Sequence, residues 1–532
     1  MICETTAYII KKSNGSAMST SIKRTLLQGT FILTIASILT KLLGFYNRIF
    51  LASTIGAREI GIYQLIFPVY LIVHCISCQG FEMGIMKFVS EEASFGNRRN
   101  VWRYLRLSFL FSFSLSLLCM AVVMLLHEPI AIYLLKQRDC SESLFIMAFA
   151  FPIISVKDCI LSYFYAMKKT LLPASCQLLE QCVRVSVIWG LATFVLAITK
   201  DASLATIGLV AGEASSMLLS LLAIPHIKKE INGMQNTSSL PHVSHYTGSI
   251  LPRRTILSRL LKYCLPITGN RLLLTTLSSV ESVLVPFILA KTLGNEDQAL
   301  ELFGVLTGMS MTFVLFPSAI TNSVAMMLLP TISEAKAQQQ KMRICKAASL
   351  SLHYCLLLGI LCTAIFLTFG KNLGTMVFQN QSAGEFLFIL SWLCPFIYIS
   401  TTFTSILNGL GKTTLTFSNN VIAVLIRIFS IVAFIPKMGI QGYLLGLLVS
   451  YGVLAFLSIF HVHSETNLYF NARRSILSPA CLAFLGTTFA LISEFFLLKA
   501  GFPHNLVTLC ISIAILCGIY GFGTLLLRLL DY

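Results

Sequence analysis

Two cations, Lys41 and Arg48, stand seven residues apart in the stretch "LTKLLGFYNRIF", residues 39–50. The surrounding run from Leu26 to Ala52 holds no other charge and no acid. Seven residues make about two helical turns, so both side chains project from one face, roughly 10 Å apart. Gly44 lies between them on that face and leaves room beside the backbone. Two cations, a gap and no local counter-ion describe half of an anion site. The alternative is neutralisation from other helices, with Glu82 or Glu281 as partners.

Ten further charges interrupt apolar runs: Lys157, Arg184, Arg271, Arg427, Glu82, Asp158, Glu180, Glu213, Glu281 and Glu494. Each charge at the centre of a membrane helix costs roughly 2.5–3.5 kcal/mol. Twelve facing lipid would together cost on the order of 30 kcal/mol, beyond the net stability of a whole fold. They must face one another, water or a ligand, although Glu494 lies near enough to a helix end to snorkel. Glu180 and Arg184 are four apart and read as a structural ion pair. Lys157 and Asp158 are adjacent, point to different sides, and each need a partner from another helix. Arg271 and Glu281 share a broad face but sit about 15 Å apart along the axis, too far to pair. Glu82, Glu213, Glu281 and Arg427 are expected as cavity or coupling charges.

The elements that position these residues are membrane helices. Of 532 residues, 56% are hydrophobic and only 11% charged, where a soluble chain carries about 25% charged. Apolar windows of about 20 residues predict fourteen spans: 27–51, 61–86, 104–126, 143–167, 171–198, 203–225, 260–290, 302–329, 347–370, 384–408, 414–435, 440–461, 475–497 and 504–528. With the N-terminus inside, the expected inner segments hold 25 lysines and arginines and the outer ones 8. That asymmetry obeys the positive-inside rule and predicts a multi-pass protein of the cytoplasmic membrane with both termini cytoplasmic. The net charge of +17 is thereby a matter of orientation: it is spread through short loops without interleaved aromatics, and no nucleic-acid partner is expected.

Residues 1–25 read as a cytoplasmic leader without a cleavable signal, with Met18 as an alternative start to Met1. Residues 226–258 read as a cytoplasmic linker rich in Gly, Ser, Pro and basic residues. The linker divides an N-lobe, 26–225 with six spans, from a C-lobe, 259–462 with six more; 463–532 carry the last two. The lobes repeat one another. "LASTIG" from Leu51 recurs as "LAKTLG" from Leu289, "SEEA" from Ser90 as "SEAK" from Ser333, and "AMKKT" as "GLGKT", each Thr preceding a membrane arginine, Arg184 or Arg427, by fourteen residues. Ala423 stands where the second copy would match Glu180. Six spans per copy imply parallel repeats, as in some transporters, and Gly208/Gly212 and Gly442/Gly446 suit close helix packing in the sixth span of each.

The first span, the "SEEA" motif and "GVLTGMSMTFVLFPSAITNSVAMMLLPTISEA" (304–335) closely resemble the stage V sporulation protein B group, which belongs with MurJ-type lipid II flippases in the multidrug/oligosaccharidyl-lipid/polysaccharide exporter superfamily. The resemblance covers nearly the whole chain. It implies an all-α polytopic membrane protein with two six-helix lobes around a central cavity and two extra helices. It also implies that an undecaprenyl-pyrophosphate-linked glycan precursor is moved between leaflets by alternating access, for spore cortex or cell wall synthesis. MurJ-type flippases carry arginines in span 1; Lys41 holds the first matching position and Asn47 the second, with Arg48 one residue later and its charge rotated by about 100°. Their span 8 carries a cavity arginine that this chain lacks, and Arg271 on span 7 is the candidate replacement, so the resemblance implies a pyrophosphate held by Lys41, Arg48 and Arg271.

Competing functions make different demands. A cation-coupled drug exporter of the same superfamily predicts acid-dominated cavities. A glycan-processing enzyme needs a positioned base or metal, and no His-rich cluster or D-x-D-like motif supplies one; His353, His461 and His463 read as interfacial. A non-transporting spore-envelope assembly factor predicts dispensable charges. No catalytic residue, cofactor or metal is expected: the CxxC, Cys75 to Cys78, reads as small buried side chains without a second pair at metal spacing. Coupling to protons, sodium ions or the membrane potential is expected, as is contact with membrane lipids and with cell-wall synthesis machinery.

Overall fold

The computed structural model describes residues 20–94, 96–194, 201–233, 252–466, 468–499, 503 and 505–529. Most of the expected leader, 1–19, and the middle of the expected linker, 234–251, lie outside the described residues. Among the described residues the regular structure is helical throughout.

Helix α1, Thr20–His74, would be about 80 Å long if straight, far beyond a hydrocarbon core of about 30 Å. Gly56 breaks it: at φ 82° the backbone leaves helical geometry, a conformation open to glycine at little cost. Two helical segments are thus joined at Gly56 without a loop. The second continues through a π-helical turn, Cys75–Gln79, into α2, Gly80–Ser94. The N-lobe then runs through α3 (Arg98–Pro129), the bent pair α4 (Cys140–Ala148) and α5 (Ala150–Ala166), α6 (Leu171–Phe194), α7 (Ala202–Leu222) and a short amphipathic α8 (Ile224–Gly233) that occupies the start of the expected linker. Helix α9 (Arg253–Leu293) opens the C-lobe inside the segment expected to be linker.

The C-lobe continues with α10 (Glu296–Gly304), a π segment at Val305–Ser310, α11 (Met311–Leu315), α12 (Ser318–Ala337), α13 (Lys341–Phe378), α14 (Gln381–Leu390), α15 (Leu393–Gly409), α16 (Thr413–Met438) and α17 (Ile440–Thr466). Ten helical stretches among the described residues are long and apolar enough to cross a membrane, or up to twelve if each bent pair is one span. The count of fourteen is therefore not established. One reason is that the first two expected spans share the single stretch Ile35–Ala93. Another is α6, whose Gln177, Glu180, Gln181 and Arg184 lower its hydropathy.

The two lobes are repeats. Positive φ occurs at Gly56 and Gly294, which match in "LASTIG" and "LAKTLG". It occurs again at Gly96 and Gln339, Lys136 and Gln379, and Lys168 and Gly411, each pair displaced by the same 243 residues. Packing repeats as well: α6 lies between α1 and α7, as α16 lies between α9 and α17. A methyl group on Gly208 would meet Ile188 of α6 at 2.3 Å, and one on Gly446 would meet Ser430 of α16 at 2.4 Å. The last helices, α18 (Ser478–Lys499) and α19 (Leu506–Leu526), pack on each other and on α13. There the structure corrects one expectation. His353 is fully buried rather than interfacial, with Nδ1 on Ser475 Oγ at 2.9 Å and Nε2 on the Leu529 carbonyl at 2.7 Å.

The lobes meet along two seams. Beside the Gly56 break, backbones touch: a methyl group on Gly304 would lie 2.0 Å from the Ala57 carbonyl oxygen, and one on Gly61 would lie 2.2 Å from that of Leu300. Arg58 covers this seam, binding Glu59 and Asp139 of the N-lobe and Asp297 of the C-lobe. Towards the other end, Gly80 and Gly84 press against Thr268 and Cys264 of α9, and Leu260 and Cys264 join the N-lobe core around Ile85 and Tyr163.

Candidate functional site

Lys41 and Arg48 lie on the face of α1 turned to the C-lobe, and Phe45 between them packs against Phe313 and Phe316 at centroid distances of 5.0 and 5.6 Å. Arg48 Nη1 donates to the Thr307 carbonyl at 3.1 Å, the Gly308 carbonyl at 3.5 Å and Thr312 Oγ1 at 2.8 Å. Thr307 and Gly308 belong to the π segment Val305–Ser310. A π turn disturbs the i to i+4 ladder and leaves carbonyls open to other donors, which is why a guanidinium can dock there. Among the described residues Lys41 Nζ has a single hydrogen bond, 3.5 Å to Ser318 Oγ. Among the described residues no carboxylate lies within ion-pair distance of either cation, and the two acids weighed as partners are engaged elsewhere. Gly44 faces Gln181 of α6, which would lie 3.4 Å from a methyl group there, so the room beside it is partly filled. Asn47 is buried, and among the described residues its Oδ1 has no hydrogen-bond partner.

Arg271 is exposed and does not join that seam. Its Nη1 donates to Gln79 Oε1 at 3.3 Å across to the N-lobe, while Gln79 Nε2 lies 3.4 Å from His74 Nδ1. His74 Nε2 in turn lies 2.9 Å from Asp158 Oδ2 and 3.5 Å from Glu82 Oε1. A second part of the network follows: Lys157 binds Glu213 and, at 3.2 Å, Glu180; Arg184 binds Glu180 at 2.8 Å; Tyr70 donates to Glu213 at 3.2 Å. Adjacent Lys157 and Asp158 still lie 3.9 Å apart, so the two parts connect. Four carboxylates thus face two permanent cations and one imidazole.

In the C-lobe, Arg427 pairs with Glu281 at 2.8 Å, with Ser450 at 3.3 Å and with the ring of Tyr451 at 5.4 Å. Tyr443 donates to the same carboxylate at 2.9 Å. Glu281 and Arg427 therefore satisfy each other inside one lobe, and the substitution of Ala423 for a local acid is made good from α9. Sequence reasoning passed over His74, Gln79, Tyr70 and Tyr443. A spacing of four through His74, Cys78 and Glu82 marked one helix face; nothing in the sequence marked Tyr443, 162 residues from its partner.

The sequence profile of the polysaccharide biosynthesis protein family matches residues 26–336. The chain belongs to this family. Among its relatives, stage V sporulation protein B of Bacillus subtilis (strain 168) is 25% identical over 488 residues, covering 91% of this chain and 92% of that protein. The fold is similar to that of lipid II flippase MurJ in an inward closed conformation, at a TM-score of 0.67 and 15% identity, covering 94% of this chain and all of that one. It is also similar to an inward-facing multidrug resistance transporter of the MATE family, at a TM-score of 0.61 and 12% identity over 82% and 98%. The architecture of this family member is thus that of all-α polytopic transporters, with cations at one seam and a charged network at the other.

Proposed function

We propose that the protein moves an undecaprenyl-pyrophosphate-linked glycan precursor across the cytoplasmic membrane by alternating access, with Lys41 and Arg48 receiving the pyrophosphate. One observation carries this reading. Both cations lie where the lobes meet and are held by neutral oxygens alone, so an arriving phosphate replaces weak partners with charge-assisted ones. A pyrophosphate cannot enter hydrocarbon unsolvated; these side chains substitute for its water while the lipid tail stays in the bilayer. Arg271 joins them when the seam at Gln79 opens. The His74–Asp158–Glu82 and Lys157–Glu213 groups accept a coupling proton or sodium ion. The resemblance to stage V sporulation protein B supports a spore-cortex or cell-wall precursor as cargo.

The test is complementation of flippase-depleted cells with wild type, Lys41→Ala and Arg48→Ala, with precursor translocation measured. Wild type is expected to restore translocation and both variants to lose most of it at normal expression. Normal translocation by both variants would refute the anion seam. A second reading is favoured by the acid-rich N-lobe network and the fold shared with a multidrug transporter: a cation-coupled exporter of cationic compounds. It predicts drug efflux that survives Lys41→Ala and fails with Glu213→Gln.

A further inference from the structure

We propose that His74, Cys78 and Asp158, with Glu82 in reach, form a binding site for a divalent transition-metal ion of the zinc class. A ring nitrogen of His74, Cys78 Sγ and a carboxylate oxygen of Asp158 all lie within 4.8 Å of one another, and His74 Nε2 is the nitrogen beside Asp158, at 2.9 Å. Zinc bonds of about 2.0–2.3 Å to such atoms hold tetrahedral ligands about 3.5 Å apart, so an ion fits between these donors with small side-chain movements. Glu82 Oε1, already 3.5 Å from His74 Nε2, supplies the fourth donor.

The backbone arranges the set. His74 closes α1, Cys78 sits in the π turn Cys75–Gln79 and Glu82 lies in the first turn of α2, while Asp158 arrives from α5. Positions four apart share a helix face, and a π turn within a helix is a frequent mark of a functional position. The same turn separates the two cysteines of the CxxC: Cys75 Sγ points to the Thr268 carbonyl of the C-lobe at 3.9 Å, and only Cys78 belongs to the donor set.

Charge and ligand type narrow the guest. In the connected network four carboxylates, Glu82, Asp158, Glu180 and Glu213, outnumber the two permanent cations, Lys157 and Arg184, so the site offers more anionic donors than the protein itself neutralises. Imidazole with thiolate suits zinc, cobalt or ferrous ion and is a poor set for sodium, magnesium or calcium. On binding, the sulfur–metal bond forms as the Cys78 thiol releases its proton to solvent, and the His74 proton that faces Asp158 from Nε2 is lost to solvent while Nδ1 takes one up, which frees the Nε2 lone pair for the metal. The site does not use Lys41 or Arg48, so it stands apart from the anion seam; with the metal ion bound, a coupling proton or sodium ion is left to the Lys157–Glu213 group.

The full chain, purified in detergent under reducing conditions and stripped with a chelator, is titrated with Co²⁺. One equivalent is expected to produce the thiolate-to-cobalt charge-transfer absorption and the visible bands of a tetrahedral ion, both erased by one equivalent of Zn²⁺. Cys78→Ser should abolish the charge-transfer band, Cys75→Ser should keep it, and His74→Ala or Asp158→Asn should weaken cobalt binding at least tenfold. Thermal melting and gel filtration of each variant report whether it folds. Absence of the band in wild type, or its persistence in folded Cys78→Ser, overturns the proposal.

Discussion

A guanidinium that meets only carbonyl and hydroxyl oxygens keeps its full charge available, and Arg48 is in that position. A lysine there would retain the charge but lose the planar fork that engages a phosphate through two bonds. A charge-assisted hydrogen bond contributes about 1.5–3 kcal/mol, so Arg48→Lys is expected to slow precursor translocation about ten- to hundredfold. A rate equal to wild type in reconstituted vesicles would contradict bidentate contact. The pair Glu281–Arg427 behaves differently because each partner is buried against the other. Glu281→Gln or Arg427→Met alone leaves one buried charge uncompensated and should cost about 3–5 kcal/mol of stability, whereas the apolar double variant Glu281→Leu/Arg427→Met should recover most of it. Thermal unfolding in detergent distinguishes these outcomes. The cation pair was legible in the sequence because both members lie on one helix. The partner of Arg427 was not, because it comes from 146 residues away, a distance that only the packed helices bridge.

Elements were more legible than their breaks. Apolar runs located the helices, and the matching of "LASTIG" with "LAKTLG" located the two equivalent turns, because glycine marks the positive φ that each requires. The π segments at Cys75–Gln79 and Val305–Ser310 had no such marker: one extra residue in a helical turn does not disturb an apolar pattern. Yet both carry the polar contacts of the site. The glycines beside them set how closely the lobes approach. Gly304→Leu places side-chain atoms where the Ala57 carbonyl oxygen lies, so the seam at the Gly56 end cannot close. Substituted cysteines near that end, as at Leu300, are then expected to react with a water-soluble maleimide several times faster than in the Gly304 parent. An unchanged rate would show that this seam does not gate access.

At the scale of the whole molecule, two repeated lobes are tied at one end by Arg58, an arginine shared among Glu59, Asp139 and Asp297. Asp139 and Asp297 are largely exposed, and ion pairs open to water weaken as salt rises. Maleimide labelling at the Gly56 end should therefore rise between low and high salt in wild type and be uniformly high in Arg58→Ala; salt-independent labelling of wild type would remove the latch from the gate. The repeat made the two lobes legible, but no periodicity could show that they touch through side chains as short as Gln79. That amide has one donating and one accepting end. It gives its N–H to His74 and takes one from Arg271, and it cannot reverse one end without reversing the other. Whenever a proton comes to rest on His74 Nδ1, the amide must turn about, present hydrogens to a guanidinium that has only hydrogens to offer, and let go of the opposite lobe. Under the proposed function, that single side chain would work as a clutch between what the first lobe has loaded and what the second is free to grasp.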